Sequence, residues 1–186
     1  VPLAGYDRPV KYPRGVMIEH NWTRDNAGLF DASHMGLVIL KAKSGAYADA
    51  AQALETLIPM NVLDLKPGRQ RYGMLTNDAG GIRDDLMFAN VGDHLFVVVN
   101  GACKDDDFAH MQAHLSQTCD LEMLDDRALL ALQGPKAETA LARLIPVAAD
   151  MAFMDVKTFA HNGAELWISR SGYTGEDGYE ISIPQS

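Results

Sequence analysis

Residues 35 to 124 alternate between strand-like and helix-like hydrophobic patterns, and their order constrains the fold more than any other feature of the chain. Apolar, β-branched runs predict strands, and apolar residues at helical spacing predict helices. The predicted elements are strands at 35–40, 71–76, 82–89, 95–99 and 121–124, and helices from Ser44 to Pro59 and at 105–115. Strand 95–99 is almost continuously apolar, which is typical of a central strand. The order favours a ferredoxin-like α+β unit with a split β-α-β topology over a parallel doubly wound sheet.

The segments on either side of this unit have elements of their own. The first 15 residues are interrupted by Pro and Gly, which predicts an irregular segment, and a short helix is expected at 19–27. Strands are predicted at 128–132, 166–169 and 179–183. A further helix is predicted after Gln133-Gly134-Pro135, because Pro is tolerated in a first turn. Its predicted buried stripe consists of Ala137, Ala140, Leu141 and Leu144.

Composition and charge exclude several classes of protein. No stretch approaches the ~20 consecutive apolar residues of a membrane-spanning helix, so we expect no membrane partner. The 16 Lys and Arg against 25 Asp and Glu give a net charge of -9, which argues against general nucleic-acid binding. Cys103 and Cys119 are too isolated for a disulfide framework or a zinc knuckle, and we expect no metal.

Asp84 and Asp85 form an acidic pair at the start of the predicted strand 82–89, after a Gly-Gly turn. Alternation along a strand places the two side chains on opposite faces, so at most one of them is expected to face a given pocket. A carboxylate entering an apolar strand is costly unless it has a partner. Two interpretations are open: the pair accepts hydrogen bonds at the turn, or one member serves a binding site.

Residues 170 to 180 contain three Gly residues at intervals of three, which lets a ligand approach the backbone closely. Glu176 and Asp177 lie within this stretch, so a phosphate site is disfavoured and an amine-bearing or cationic ligand is expected. A buried Glu180 would accept hydrogen bonds from a heterocycle, with Tyr173 or Tyr179 as a stacking face. The alternative is a tight turn with solvated acids.

The predicted helix at 105–115 carries two groups with metal-ligand chemistry. His110 and His114 are four residues apart, but the zinc-protease Glu is missing between them, so a solvated helix face is favoured. The three aspartates at 105–107 resemble a cation site by number alone, and an interaction with the helix dipole is the simpler interpretation.

Several sequence blocks together resemble the aminomethyltransferase family, the T-protein of the glycine cleavage system. The blocks occur in the order of that family and extend over the whole chain. They are Leu3-Ala4-Gly5-Tyr6, Pro9-Val10-Lys11-Tyr12, the run from Gly28 to Gly36 that contains Asp31-Ala32-Ser33-His34-Met35, Gly81-Ile82-Arg83-Asp84-Asp85-Leu86, Val99-Asn100, Leu130 to Pro135, and Arg170 to Glu180.

The resemblance implies a tetrahydrofolate-dependent transfer. An aminomethyl group on the lipoyl arm of the H-protein loses ammonia, and its one-carbon unit becomes 5,10-methylenetetrahydrofolate. Asp85 matches the family's catalytic carboxylate, and Glu180 matches the acid that anchors the pterin ring. Positions that line or stack on the folate are matched by Met35, Tyr72, Asn100, Phe153 and Tyr173. The implied partners are tetrahydrofolate, as acceptor substrate, and the lipoylated H-protein.

The family's fold is a cloverleaf of three domains. Its first domain is discontinuous, and here it would comprise residues 1–32 and 126–186; the inserted ferredoxin-like second domain would comprise 33–125. We expect this chain to be the N-terminal half of a longer protein. The chain would then lack the third domain and be inactive alone. The implied location is the bacterial cytoplasm or the mitochondrial matrix.

Two other functions are compatible with the same resemblance. One is a related folate-dependent demethylase acting on dimethylglycine, sarcosine or a sulfonium donor. The other is a non-enzymatic folate sensor or iron–sulfur assembly factor, but such relatives carry a Cys-containing motif where this chain has Ser171-Gly172-Tyr173-Thr174-Gly175-Glu176. The absence of that Cys disfavours the second alternative.

Overall fold

The computed structural model describes residues 1–185, which form two compact units. The first unit contains Val1–His34 together with the chain from Asp126 onward, and the second contains Met35–Asp125. Within the described residues, three β-sheets and four short α-helices make this a mixed α/β protein. Across residues 1–185, no helix is both long enough and apolar enough to cross a membrane.

The elements are labelled in chain order. The strands are β1 (Pro2–Leu3), β2 (Tyr6–Asp7), β3 (Gly28–Asp31), β4 (Gly36–Ala42), β5 (Arg69–Thr76), β6 (Ile82–Asn90), β7 (Leu95–Val99), β8 (Cys119–Met123), β9 (Arg127–Gln133), β10 (Val156–His161), β11 (Ala164–Arg170) and β12 (Gly178–Pro184). The α-helices are α1 (Val16–Asp25), α2 (Tyr47–Glu55), α3 (Lys104–Leu115) and α4 (Ala137–Leu141), and Pro146–Asp150 forms a short 3-10 helix.

The sheet of the second unit has the strand order β5-β6-β7-β4-β8, and every pair of neighbours is antiparallel. Strands β4 and β6 therefore run parallel to each other on either side of β7. The central position of β7 agrees with its continuous apolar sequence, and all five of its residues are buried. A strand that is covered on both faces has no position for a polar side chain.

Helices α2 and α3 cover one face of this sheet. Leu54 of α2 and Met111 of α3 pack in one hydrophobic cluster with Val38 and Val97 of the sheet. Each fully buried aliphatic side chain in such a cluster contributes about 1.5–3 kcal/mol to folding. Alternation along β6 places Asp85 on the opposite face, away from this cluster.

The sheet of the first unit has the order β10-β11-β12-β9-β3 and is also antiparallel throughout. Helix α4 and the 3-10 helix cover one face, where Leu141 and Ala148 pack against Ile168 and Tyr179. Glu180 points to the other face, because it lies between Tyr179 and Ile181 in β12. This second face also carries the buried polar side chain of Gln133.

Several predictions for the first unit are wrong in detail. Leu144 is 62% exposed, because α4 ends at Leu141 and does not extend the predicted stripe. The helix predicted at 19–27 begins earlier and spans Val16–Asp25. The opening segment is not wholly irregular, since β1 and β2 pair with each other. Strand β10 was not predicted at all.

Candidate functional site

Asp85 lies on the face of the second unit's sheet opposite to α2 and α3, between an amide and a phenol. The Nδ2 atom of Asn100 is 2.8 Å from its Oδ1 atom. The phenol of Tyr72 lies near the same carboxylate; partial desolvation and the proximity of Asp85 raise the pKa of Tyr72. Asp85 and Asn100 are half-buried, and Tyr72 is 48% exposed. The carboxylate is therefore both held in place and accessible.

The antiparallel register explains why these three residues meet although they are far apart in sequence. Because side chains alternate along a strand, the register places Tyr72, Asp85 and Asn100 on the same face of the sheet. Met35 immediately precedes Gly36 of β4, at the same end of the sheet as Asn100. The residue pairs that establish the register are Tyr72–Met87, Met74–Asp85, Met87–Val98 and Gly36–Val99.

Asp84 points to the opposite, helix-covered face, as the alternation predicts, but it shares a partner with Asp85. Nδ2 of Asn100 is 2.9 Å from Oδ1 of Asp84, and the backbone N–H of Asp85 donates to the same oxygen at 2.9 Å. Burial acts to raise the pKa of Asp84, but these hydrogen bonds outweigh it and hold that pKa below its usual value. Asn100 follows the end of β7 and therefore serves both carboxylates.

Asp107 has a role that the sequence did not indicate. The prediction treated the three aspartates at 105–107 alike, as charges at a helix start, yet Asp105 and Asp106 are exposed and Asp107 is only 2% exposed. Burial and the neighbouring carboxyl of Asp84 raise the pKa of Asp107 to about 7. Because of the helical periodicity, only Asp107 of the three aspartates lies on the side of α3 that packs on the sheet.

Glu180 is a half-buried carboxyl on the face of the first unit's sheet opposite to α4. The Ser169 hydroxyl on the neighbouring strand donates to it at 3.4 Å. Burial raises the pKa of Glu180, and the Ser169 bond only partly opposes this. A carboxylate with one long hydrogen bond retains the capacity to accept more, for example from amino and ring N–H groups of a heterocycle.

The glycine-containing turn between β11 and β12 is held by two side chains. The Oε1 atom of Gln133 accepts hydrogen bonds from the backbone N–H and the hydroxyl of Thr174, each at 3.2 Å. The guanidinium of Arg170 forms a bidentate pair with Asp177 and a further bond to Glu138. Gly178 is required here, because a Cβ atom would lie 2.4 Å from Gln133.

Two expectations for this turn are corrected by the structure. Its acidic side chains already have cationic partners in the protein, because Asp177 pairs with Arg170 and Glu176 lies 3.4 Å from Arg24. Tyr179 cannot offer a stacking face, since it is fully buried below Arg170. By contrast, Tyr173 is 84% exposed at the tip of the turn, and Phe153 is 66% exposed.

The first unit also contains a groove of about 620 Å³ formed by the opening segment, α1 and β3. Basic and aromatic side chains line it, among them Arg8, Arg24, Tyr12 and Trp22. None of the seven residues singled out by the resemblance lines this groove, so the sequence did not point to it. In the described part of the chain, no cluster of three or more His, Cys, Asp and Glu side chains is placed to hold a metal ion.

Comparison with known proteins finds a family model and curated relatives that agree with one another. The family model described as the GCVT N-terminal domain matches residues 1–186. The mitochondrial aminomethyltransferase of Dictyostelium discoideum is 37% identical over 99% of this chain and 47% of its own length. The aminomethyltransferase of Thermosynechococcus vestitus is 36% identical over 98% of this chain and 49% of its own length. The chain thus spans about half the length of these curated relatives.

Two solved structures resemble this chain in fold. The glycine cleavage system aminomethyltransferase T from Bartonella henselae superposes with a TM-score of 0.89 at 36% identity, covering 99% of this chain and 49% of that one. Heterotetrameric sarcosine oxidase from Corynebacterium sp. U-96 has a TM-score of 0.55 at 17% identity, covering 91% of this chain and 84% of that one, which shows a shared fold alone. The chain therefore belongs to the aminomethyltransferase family and matches its N-terminal half.

Proposed function

We propose that this chain provides the folate-binding and catalytic part of an aminomethyltransferase. The reaction moves the one-carbon unit of aminomethyl-lipoyl H-protein to tetrahydrofolate and releases ammonia. The observation that carries the proposal is the Asp85 carboxylate, half-buried, hydrogen-bonded by Asn100 and close to the exposed ring of Tyr72. Membership of the family supports the reaction class.

The chemistry proposed for Asp85 is proton transfer and orientation at the reacting nitrogen atoms of the folate. A general acid or base has to be within hydrogen-bonding reach of the proton it moves, and it has to keep a fixed orientation. Asn100 provides that orientation, because its amide donates to Oδ1 of Asp85 at 2.8 Å. Tyr72 offers an exposed ring beside the carboxylate, which suits contact with the folate.

The remaining residues of the proposed folate site have roles that follow from their surroundings. Glu180, whose half-buried carboxyl has spare acceptor capacity, would anchor the pterin N–H groups. Tyr173 and Phe153 present exposed rings for stacking, and Met35 lies at the end of the sheet where Asn100 is found. No metal is assigned to the reaction.

We also propose a place for the chain within a larger assembly. The second unit would be a ferredoxin-like insertion in a discontinuous first domain, and the two would be the first lobes of a three-domain cloverleaf. The lipoylated H-protein would deliver the donor. The location would be the bacterial cytoplasm or the mitochondrial matrix. In support, the Dictyostelium relative is a mitochondrial protein and the Thermosynechococcus relative is a bacterial one.

The test is tetrahydrofolate-dependent release of ammonia from aminomethylated lipoyl H-protein. It is run with a polypeptide of the relatives' full length that carries this chain, and with the 186-residue chain alongside. Asp85→Asn is expected to lower turnover by about 10²–10⁴-fold while leaving folate affinity within a few-fold. Asp78→Asn, an exposed acid in the same hairpin, is the matched control and is expected to change nothing. Unchanged turnover in Asp85→Asn would refute the catalytic role.

The same assay separates the proposed donor from other donors. Free dimethylglycine, sarcosine and a sulfonium compound are offered in place of the lipoyl carrier. Turnover with a free donor and none with the carrier would overturn the aminomethyl transfer and select a folate-dependent demethylase. Intact folate binding with no turnover on any donor would instead select a non-catalytic folate protein.

A further inference from the structure

Behind Asp85, Asp84 of β6 and Asp107 of α3 are close enough for each carboxyl to shift the pKa of the other. The Oδ2 atom of each is buried and, within residues 1–185, has no hydrogen-bond partner. Two ionised carboxylates placed together in this way would repel each other and leave both oxygens unsatisfied. A single proton between them would satisfy both oxygens at once.

The surroundings decide which carboxyl carries the proton. Oδ1 of Asp84 accepts two N–H groups, from Asn100 and from the backbone of Asp85, and such bonds favour the ionised form. Asp107 is 2% exposed, and its burial favours the neutral form. The other groups that act on the pair are Arg83 of β6, Asp106 of α3 and Cys103 at the start of α3. Arg83 is the one cation among them and opposes protonation only in part.

The link from this pair to Asp85 runs through one amide. Nδ2 of Asn100 has two hydrogens and three acceptors: Oδ1 of Asp84 at 2.9 Å, Oδ1 of Asp85 at 2.8 Å and the backbone carbonyl of Asp85 at 3.2 Å. The bond to Asp84 is the one that ties the amide to a residue other than Asp85. A displaced Asp84 would remove this restraint on the amide and loosen the orientation of the Asp85 carboxylate.

We propose that Asp107 is a positioning residue: it donates a proton to Asp84, and Asp84 acts through Asn100 to hold Asp85 in its hydrogen-bonded orientation. The proton is shared between two carboxyls of this chain, and no bond other than O–H is formed or broken. The effect on turnover rests on the proposed function, whereas the shared proton does not. The two parts therefore have separate readouts.

The shared proton is tested without activity, by following the carbon signals of ¹³C-labelled Asp carboxyls against pH by NMR. The wild type is expected to show one Asp that titrates near pH 7. This signal is expected to be lost in Asp107→Asn and kept in Asp105→Asn, an exposed neighbour in the same helix turn. Absence of any Asp titrating above pH about 5, the upper end of the ordinary range, would overturn the shared proton.

The positioning role is tested with the full-length polypeptide through kcat and KM. Asp107→Asn keeps a neutral donor and is expected to retain kcat within about threefold, but to lose the fall of kcat that the wild type shows as pH rises through about 7. Asp107→Leu removes the donor and is expected to lower kcat by about 10–100-fold with an unchanged KM for tetrahydrofolate. Wild-type kcat in Asp107→Leu would overturn the positioning role.

A second variant covers the case in which Asp107→Leu does not fold. Asp84→Asn removes the carboxylate that shares the proton, so the titration near pH 7 is expected to move to lower pH and kcat to fall. Persistence of the titration in Asp84→Asn would overturn the pairing. A wild type that shows the titration but no aminomethyl transfer would refute the proposed function and leave the shared proton supported.

Discussion

Arg170→Met is the substitution expected to disturb the first unit most sharply, because this one guanidinium joins three segments. Its Nε and Nη2 atoms donate to Asp177 at 2.9 and 2.6 Å. Nη2 also donates to Glu138 of α4 at 2.7 Å, and Nη1 donates to the carbonyl of Met151 at 2.7 Å. The side chain is 15% exposed and lies over the ring of Tyr179. Methionine retains the apolar stem but none of the donors.

The loss of stability in Arg170→Met depends on the two carboxylates that lose their cationic partner. Removing one partner of a buried ion pair costs about 3–5 kcal/mol. The carboxylate side chains of Asp177 and Glu138 are 36% and 43% exposed, so water partly replaces the lost cation. We therefore expect a loss near the lower limit, about 3 kcal/mol. For a unit of this size each kcal/mol shifts Tm by about 4–8 °C, which gives a fall of about 12–24 °C.

Urea and thermal unfolding of the 186-residue chain, followed by circular dichroism, measure this loss. Arg170→Lys keeps the charge but not the planar fork, and it is expected to lose about half as much. Arg143→Met, an exposed Arg next to α4, is the matched control and is expected to stay within about 0.5 kcal/mol of the wild type. If Arg170→Met unfolds within about 1 kcal/mol of the wild type, the guanidinium does not hold these segments together.

Three further predictions concern single positions. Gly178→Ala is expected to cost about 1–3 kcal/mol, because the new Cβ lies 2.4 Å from Gln133; an unchanged urea midpoint would contradict this. The raised pKa of Asp107 makes folding stability fall as pH rises from about 4 to about 7, by at most about 4 kcal/mol, and Asp107→Asn is expected to remove this slope in urea titrations. If the stability of Asp107→Asn falls with pH as steeply as that of the wild type, Asp107 is not the group responsible for the slope. Glu180→Gln is expected to weaken tetrahydrofolate binding by about 10–150-fold in calorimetry, since a charged hydrogen bond contributes about 1.5–3 kcal/mol. No loss of stability is expected, because the surroundings of Glu180 disfavour its charged form. Equal affinity would exclude Glu180 from the site.

Regular elements with strong apolar patterns were predictable from the sequence. Strand β7 was predicted at the residues where it is found, and β6 was predicted one residue short. Strand β10 was missed because its side chains are mostly exposed, so the run from Val156 to His161 has no clear apolar alternation. Leu144 was misplaced because only tertiary packing decides where α4 ends. Local patterns carry no such information.

The candidate site was predictable in its residue types but not in its contacts. Alternation correctly separates Asp84 and Asp85, yet nothing local indicates that Asn100, beyond the end of another strand, donates to both. The burial of Asp107 depends on which side of α3 packs on the sheet. Tyr179 was considered as a ligand-stacking residue, although Leu141, Ala148 and Arg170 pack against it and it is fully buried. Such contacts join residues that are distant in sequence.

The pairing of β3 with β9 has a consequence for the order in which the chain folds during synthesis. Phe30 of β3 is opposite Ala131 of β9, so β3 can pair with β9 only after about one hundred further residues have been made. Met35–Asp125 is contiguous and has all of its strands before that point. Domains generally fold as units as they emerge from the ribosome. The second unit is therefore expected to fold first, and β3 is expected to join its sheet only after β9 has been made.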